Sequence, residues 1–194
     1  MDASLASVFL NACLVNNFVL AYFLGICPFL GVSGRVDTAL RMGGAVTFVM
    51  LVSSVCAFGI HQALILIGAP YLELIAFIVV IASAVQLVEM FVRKTSPALF
   101  QALGVYLPLI TTNCAILGLA LFQTNRGYDF PHALAYALGA GAGFTLALLL
   151  ISGIRERLAL RPVPDLAQGL AITLVVAGIL SMAFMGFAGM GSAA

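Results

Sequence analysis

The chain has 194 residues, 63% of them hydrophobic and 8% charged, with a mean hydropathy of +1.20 and a formal net charge of +1. A water-soluble domain of this size carries roughly a quarter charged residues, so this composition excludes one and marks an integral membrane protein. The near-neutral balance gives no reason to propose nucleic-acid binding.

Charges and turn residues divide the chain into six apolar segments, 4–32, 39–66, 71–92, 97–123, 131–153 and 167–189. About 20 residues cross the hydrocarbon core as a helix, so each segment is long enough to span. The N-terminal segment lacks the basic region of a removable signal, and the apolar stretch before "LNAC" (10–13) is too short for a lipoprotein signal. It is therefore expected to be retained. In the first span, "LGICPFLG" (24–31) places Pro28 directly after Cys27, with Gly25 and Gly31 loosening the flanks. Pro28 is expected to interrupt the helix and leave Cys27 at a junction of half-helices. A helix N-terminus there favours negative charge, and the thiolate is the form of cysteine that ligates metal. Asn16 and Asn17 read as helix–helix hydrogen-bonding residues.

Asp37 is expected to cap the second helix, Ser96-Pro97 to open the fourth and Pro131 the fifth. Glu89 precedes Arg93 by four residues, which favours an ion pair at the membrane edge over an ion path. In the fourth span "CAILG" (114–118) repeats the spacing of "CPFLG" (27–31), preceded by Pro108, Thr111, Thr112 and Asn113. "GAGAG" (139–143) in the fifth suggests close helix packing, since no strand precedes it to form a phosphate loop. Arg155, Glu156 and Arg157 form a docking or topology-setting cluster.

Seven of the eight basic residues (Arg35, Arg41, Arg93, Lys94, Arg155, Arg157 and Arg161) fall in loops on one side, and Arg126 alone lies opposite. The positive-inside rule assigns the seven to the cytoplasm, so both termini face outward. Tyr71 and Tyr128 fall at the outer interface, as do His61 and His132, which lack metal-ligand spacing. Cys27 and Cys114 are separated by three crossings, an odd number, so the second copy runs opposite to the first. The expected fold is all-α: a single membrane domain over 1–194, an inverted 3+3 repeat of 4–92 and 97–189 with interrupted first and fourth helices.

Two cysteines at such breaks can be small apolar side chains, a disulfide, or half of an iron–sulfur ligand set completed by a partner chain. Cys13 lies about 21 Å from Cys27 along a continuous helix and Cys56 has no repeat counterpart, so both read as packing residues.

"LVNNFVLAYFLGICPFLGVS" (14–33), "EMFVRKTSPALFQALGVYLPLITTNCAILG" (89–118), "IRERLA" (154–159) and "GLAITLVVAGILSMAFMGFAG" (169–189) together resemble the RnfA family, the A-type membrane subunits of the bacterial Rnf complex. The related E-type component of the sodium-pumping NADH:quinone oxidoreductase shares "LPLIT", "NCAI" and "IRERL", but "VNNFVL" and the Cys-Pro pair are more like the Rnf member. The resemblance implies a membrane component of an ion-translocating ferredoxin:NAD oxidoreductase in the bacterial inner membrane. It implies that Cys27 and Cys114, with two cysteines of the paralogous E-type Rnf component, hold a [2Fe–2S] cluster that relays electrons between cytoplasmic centres and an outer flavin. Partners are that E-type component together with the B-, C-, D- and G-type components, and membrane lipid. No P-loop, dinucleotide fingerprint or flavin-attachment motif is present, so NAD, flavin and ferredoxin are expected to be handled by other subunits. From the residues alone, a small inverted-repeat secondary transporter and a structural scaffold remain open, and an iron–sulfur signal separates them from the electron relay.

Overall fold

The computed structural model describes residues 4–32, 34–68, 70–95, 110, 112–160 and 169–191, and those residues are helical or irregular, with no strand among them. The chain starts with α1 (Leu5–Leu10), capped by Ser4, whose Oγ accepts from the Ser7 N–H at 3.3 Å. It widens into one π-helical turn, Asn11–Val15, loses regular structure, and resumes as α2 (Ile26–Val32). α3 (Val36–Ile67) follows and closes on Gly68, whose φ of 74° lets its N–H return to the carbonyls of Leu64 and Ile65. A short 3₁₀ turn, Pro70–Leu72, leads to α4 (Glu73–Thr95). Beyond it are α5 (Cys114–Asn125), α6 (Phe130–Ala159) and α7 (Leu170–Gly191).

α3, α4 and α6 are long and apolar enough to cross a membrane, whereas Leu5–Val15, Cys114–Asn125 and Ala171–Phe187 are shorter apolar pieces. The expected second, third, fifth and sixth segments thus correspond to α3, α4, α6 and α7. The first is broken in two. The expected fourth start at Ser96-Pro97, with Pro108 and Thr111, lies outside the described residues. Asp37 sits inside the first turn of α3 rather than ahead of it, where its carboxylate still complements the helix dipole. Pro131 occupies the first turn of α6.

The centre of the fold is the antiparallel crossing of α3 and α6, made close by small residues. A Cβ on Gly43 would lie 2.6 Å from Thr145 Cγ2, and one on Gly141 would lie 2.6 Å from Thr47 Cγ2. Each threonine turns its hydroxyl back onto the glycine four residues earlier, Thr47 to Gly43 at 2.7 Å and Thr145 to Gly141 at 2.9 Å. The contact is therefore reciprocal, glycine to threonine in both directions. Gly139 and Gly143 press on a different neighbour, where a Cβ would come within 2.5 Å of the Phe9 carbonyl and 2.6 Å of the Cys13 carbonyl. The "GAGAG" run thus packs two elements at once, as its composition suggested.

One end of the bundle is tied by the last turns of α6. Arg155 donates to the Leu30 carbonyl at 3.3 Å and Glu156 accepts from the Val36 N–H at 3.0 Å, so the two side chains hold the end of α2 and the start of α3. At the other end His61 meets Glu73 at 3.2 Å across the α3–α4 turn. Ser54 donates to Gln123 at 2.7 Å there, and Gln123 returns a bond to the Ser54 carbonyl at 3.0 Å.

Candidate metal centre: two thiols at two helix starts

The break in the first segment is built around Asn17, which is fully buried. Its Nδ2 donates to the carbonyls of Cys13 (3.0 Å) and Gly143 (2.8 Å), and its Oδ1 accepts from the N–H groups of Val19 (3.0 Å) and Leu20 (3.3 Å). All four hydrogen-bonding positions of one amide are used, replacing the helical ladder that the chain has abandoned. From α7, Ser181 Oγ donates to the Leu20 carbonyl at 2.6 Å. Irregular backbone at membrane depth survives only when protein covers it, and α6 and α7 do so here. Asn16 is held locally, donating to Asn11 Oδ1 and accepting from the Tyr22 hydroxyl.

Phe23 and Gly25 then take positive φ, 55° and 81°, and turn the chain into α2. The Gly25 carbonyl accepts from the Phe29 N–H at 3.3 Å, which makes Gly25 the residue that opens this helix. Cys27 is the second residue of α2 and Pro28 the third. Pro28 therefore does not interrupt a helix, contrary to expectation. It stands in a first turn, whose N–H groups have no intrahelical acceptor, so its missing donor costs nothing. The interruption lies upstream, between 16 and 25.

Cys114 is the first residue of α5. Its predecessor Asn113 is the N-cap, with extended backbone and Oδ1 accepting from the Ala115 N–H at 3.0 Å. The two starts meet at Gly25, whose N–H donates to Cys114 Sγ at 2.9 Å. A Cβ on Gly25 would fall 2.7 Å from Phe144 Cε2, 3.2 Å from Asn113 Oδ1 and 3.3 Å from Ala115 Cβ, and one on Gly118 would fall 2.8 Å from Leu24 Cδ1. Glycine is required at 25 for both its φ and its close approach. Cys27 follows Gly25 by two residues, a reach of no more than about 7 Å between Cα atoms. Both thiols are exposed and free.

The other candidates lie apart. Cys13 sits in the π turn, half-buried, with its carbonyl on Asn17. Half-buried Cys56 follows Ser54, whose partner Gln123 stands nine residues along α5 from Cys114, about 14 Å at the helical rise. His132 stacks on Tyr128 at 6.4 Å between ring centroids. Glu89 is half-buried, and the side chain of Arg93 lies outside the described residues. Among the described residues, no group of three or more His, Cys, Asp or Glu converges to hold a metal ion. Cys27 and Cys114 are each an exposed free thiol near the start of a helix, and the two helix starts meet at Gly25. Sequence reasoning named Gly25 only as loosening the flank of Pro28 and Asn113 only as able to bond exposed backbone groups, and it passed over Ser181; the glycine two residues before the cysteine was the one available signal.

The family model described as "Rnf-Nqr subunit, membrane protein" matches residues 5–191. The chain is 58% identical over 189 residues to the A-type component of the ion-translocating oxidoreductase complex of Syntrophotalea carbinolica, covering 96% of this chain and 97% of the relative. It is 52% identical over 188 residues to the A-type component of the Na(+)-translocating ferredoxin:NAD(+) oxidoreductase complex of Acetobacterium woodii, covering 96% and 98%. The corresponding component of the ion-translocating oxidoreductase complex of Sodalis glossinidius is 52% identical over 184 residues, 94% and 95% of the two chains. With a match that runs from α1 to the end of α7, this chain belongs to the Rnf-Nqr family of membrane subunits.

Proposed function

We propose that the chain is the A-type component of an ion-translocating ferredoxin:NAD oxidoreductase complex, in which Cys27 and Cys114 supply half the ligands of a [2Fe–2S] cluster shared with a paralogous membrane protein. The observation that carries this reading is the Gly25 N–H on Cys114 Sγ at 2.9 Å, which brings together the two helix starts that carry Cys27 and Cys114, both exposed. The donor set fits the group. Thiolates are the usual ligands of iron–sulfur centres, backbone N–H donors commonly accompany them, and two such ligands require a partner to complete four. When bound, the cluster supplies one-electron storage at membrane depth. Cys27 and Cys114 would hold it, while Asn17 and Ser181 fix the broken backbone upstream of Gly25, and Phe144 and Ala115 pack against that glycine.

The inverted 3+3 repeat is part of the same proposal. The reciprocal contact of Gly43-to-Thr145 and Gly141-to-Thr47 supports it, because α3 and α6 are the second helices of the two halves. The distribution of basic residues supports a bacterial inner-membrane orientation with both termini periplasmic. The ion-coupled activity named for the relatives would belong to the assembled complex, with NAD, flavin and ferredoxin bound by its other members.

Electron paramagnetic resonance of the purified complex tests the reading. The wild type is expected to show a [2Fe–2S] signal that Cys27→Ser and Cys114→Ser each abolish, since a hard oxygen ligand is a poor replacement for a thiolate. Cys13→Ser and Cys56→Ser are expected to keep it. A full signal in Cys114→Ser would remove the proposal.

A further inference from the structure

Gly25 is buried, and because it opens α2 its N–H has no acceptor within that helix. A buried backbone donor needs a partner from elsewhere in the fold. This one is aimed at sulfur, donating to Cys114 Sγ at 2.9 Å. A neutral thiol is a weak acceptor, whereas a hydrogen bond to an ionised acceptor is roughly twice as strong as one between neutral groups. The residue has little room to move away. A Cβ on it would fall 2.7 Å from Phe144 Cε2, 3.2 Å from Asn113 Oδ1 and 3.3 Å from Ala115 Cβ, so three side chains close on it beside the start of α5.

Resting on the cluster reading above, we propose that Gly25 is a positioning residue whose backbone N–H, through its bond to the Cys114 sulfur, raises the reduction potential of the [2Fe–2S] centre. Taking an electron makes the ligating sulfurs more negative, so a donor already placed on one of them favours the reduced form. The donor belongs to the main chain, and no change of side chain deletes it. Its distance from the sulfur is set by packing, because the bond joins the broken first segment to α5. The potential is thereby tied to how those two elements sit together.

Redox titration of the [2Fe–2S] signal in the whole complex, with the N–H itself removed, tests this. Glycolic acid in place of Gly25 exchanges the amide N–H for an ester oxygen and adds no Cβ. The signal is expected to persist, and the reduced-to-oxidised ratio at fixed potential to fall about tenfold, about 59 mV for a one-electron couple. The same exchange at Gly34, whose Cβ position has nothing within 4 Å, is expected to leave the midpoint unchanged. A wild-type midpoint with the ester at position 25 would overturn the proposal. Pulsed resonance on wild-type complex labelled with ¹⁵N-glycine provides a second measurement independent of any variant's stability. A weakly coupled glycine nitrogen is expected, and its absence would also overturn the proposal. These failures differ from that of the cluster itself: a spectrum indifferent to Cys27→Ser and Cys114→Ser removes both readings, whereas one lost in those variants but unmoved by the ester at position 25 removes the donor alone.

Discussion

At the scale of single residues, the described structure depends on a few polar atoms placed where the backbone leaves its regular path. Asn17 makes four buried bonds. Asn17→Leu leaves two N–H groups and two carbonyls without that amide, and each buried group so abandoned costs about 1–3 kcal/mol. The expected result is a fall of several degrees in the unfolding midpoint of the purified complex, with Asn17→Asp recovering part of it because the two acceptor bonds remain. A wild-type midpoint for Asn17→Leu would show that the break is held by something else. Glycines give a second, internally controlled comparison. Gly143→Ala drives a Cβ to 2.6 Å from the Cys13 carbonyl, an overpacking of about 1–3 kcal/mol, while Gly59 has nothing within 4 Å. Gly59→Ala is expected to be neutral or stabilising by about 0.5–1 kcal/mol, the usual gain of Ala over Gly within a helix.

At the scale of elements, the first segment is two helical pieces joined by a covered irregular stretch, and α2 starts where Gly25 turns. Because Pro28 lies in a first turn, Pro28→Ala is expected to change stability by less than about 1 kcal/mol and to leave the iron–sulfur signal in place. Gly25→Ala should do the opposite. The substitution meets both a φ of 81° and a side-chain ring 2.7 Å away, so it is expected to displace the start of α2 and diminish the cluster signal in the assembled complex. If the two variants behaved alike, Gly25 would not be the residue that sets this junction. The sequence marked the right span but assigned the break to the wrong residue. A proline in an apolar run reads as a breaker until the helix start is known, and that start depends on Asn17 reaching Gly143 on another helix.

At the scale of the whole molecule, the exposed apolar faces of α4 (Leu74, Ile75, Ile78) and α7 (Leu174, Val175, Ile179) fit a chain surrounded by lipid and other membrane proteins. Labelling at Ser33→Cys and Arg161→Cys is expected from the cytoplasm and at Ala194→Cys from outside; cytoplasmic labelling at Ala194→Cys would overturn the orientation. The isolated chain, with two thiol ligands, is expected to bind iron poorly, and stoichiometric [2Fe–2S] in it would point to a pairing of two copies instead. The sequence by itself determined the membrane class, because 8% charged residues cannot cover a water-facing surface. It also determined the family and the pair of cysteines worth comparing, since motif and spacing are linear properties. Tertiary structure alone decided that the Gly25 N–H donates to Cys114 Sγ, and that the Asn113 cap lies against that same glycine. Those relations join residues almost ninety positions apart, and no local preference encodes them. They arise when glycines at 118, 139, 141 and 143 let the helices approach closely enough for one broken backbone to be completed by its neighbours.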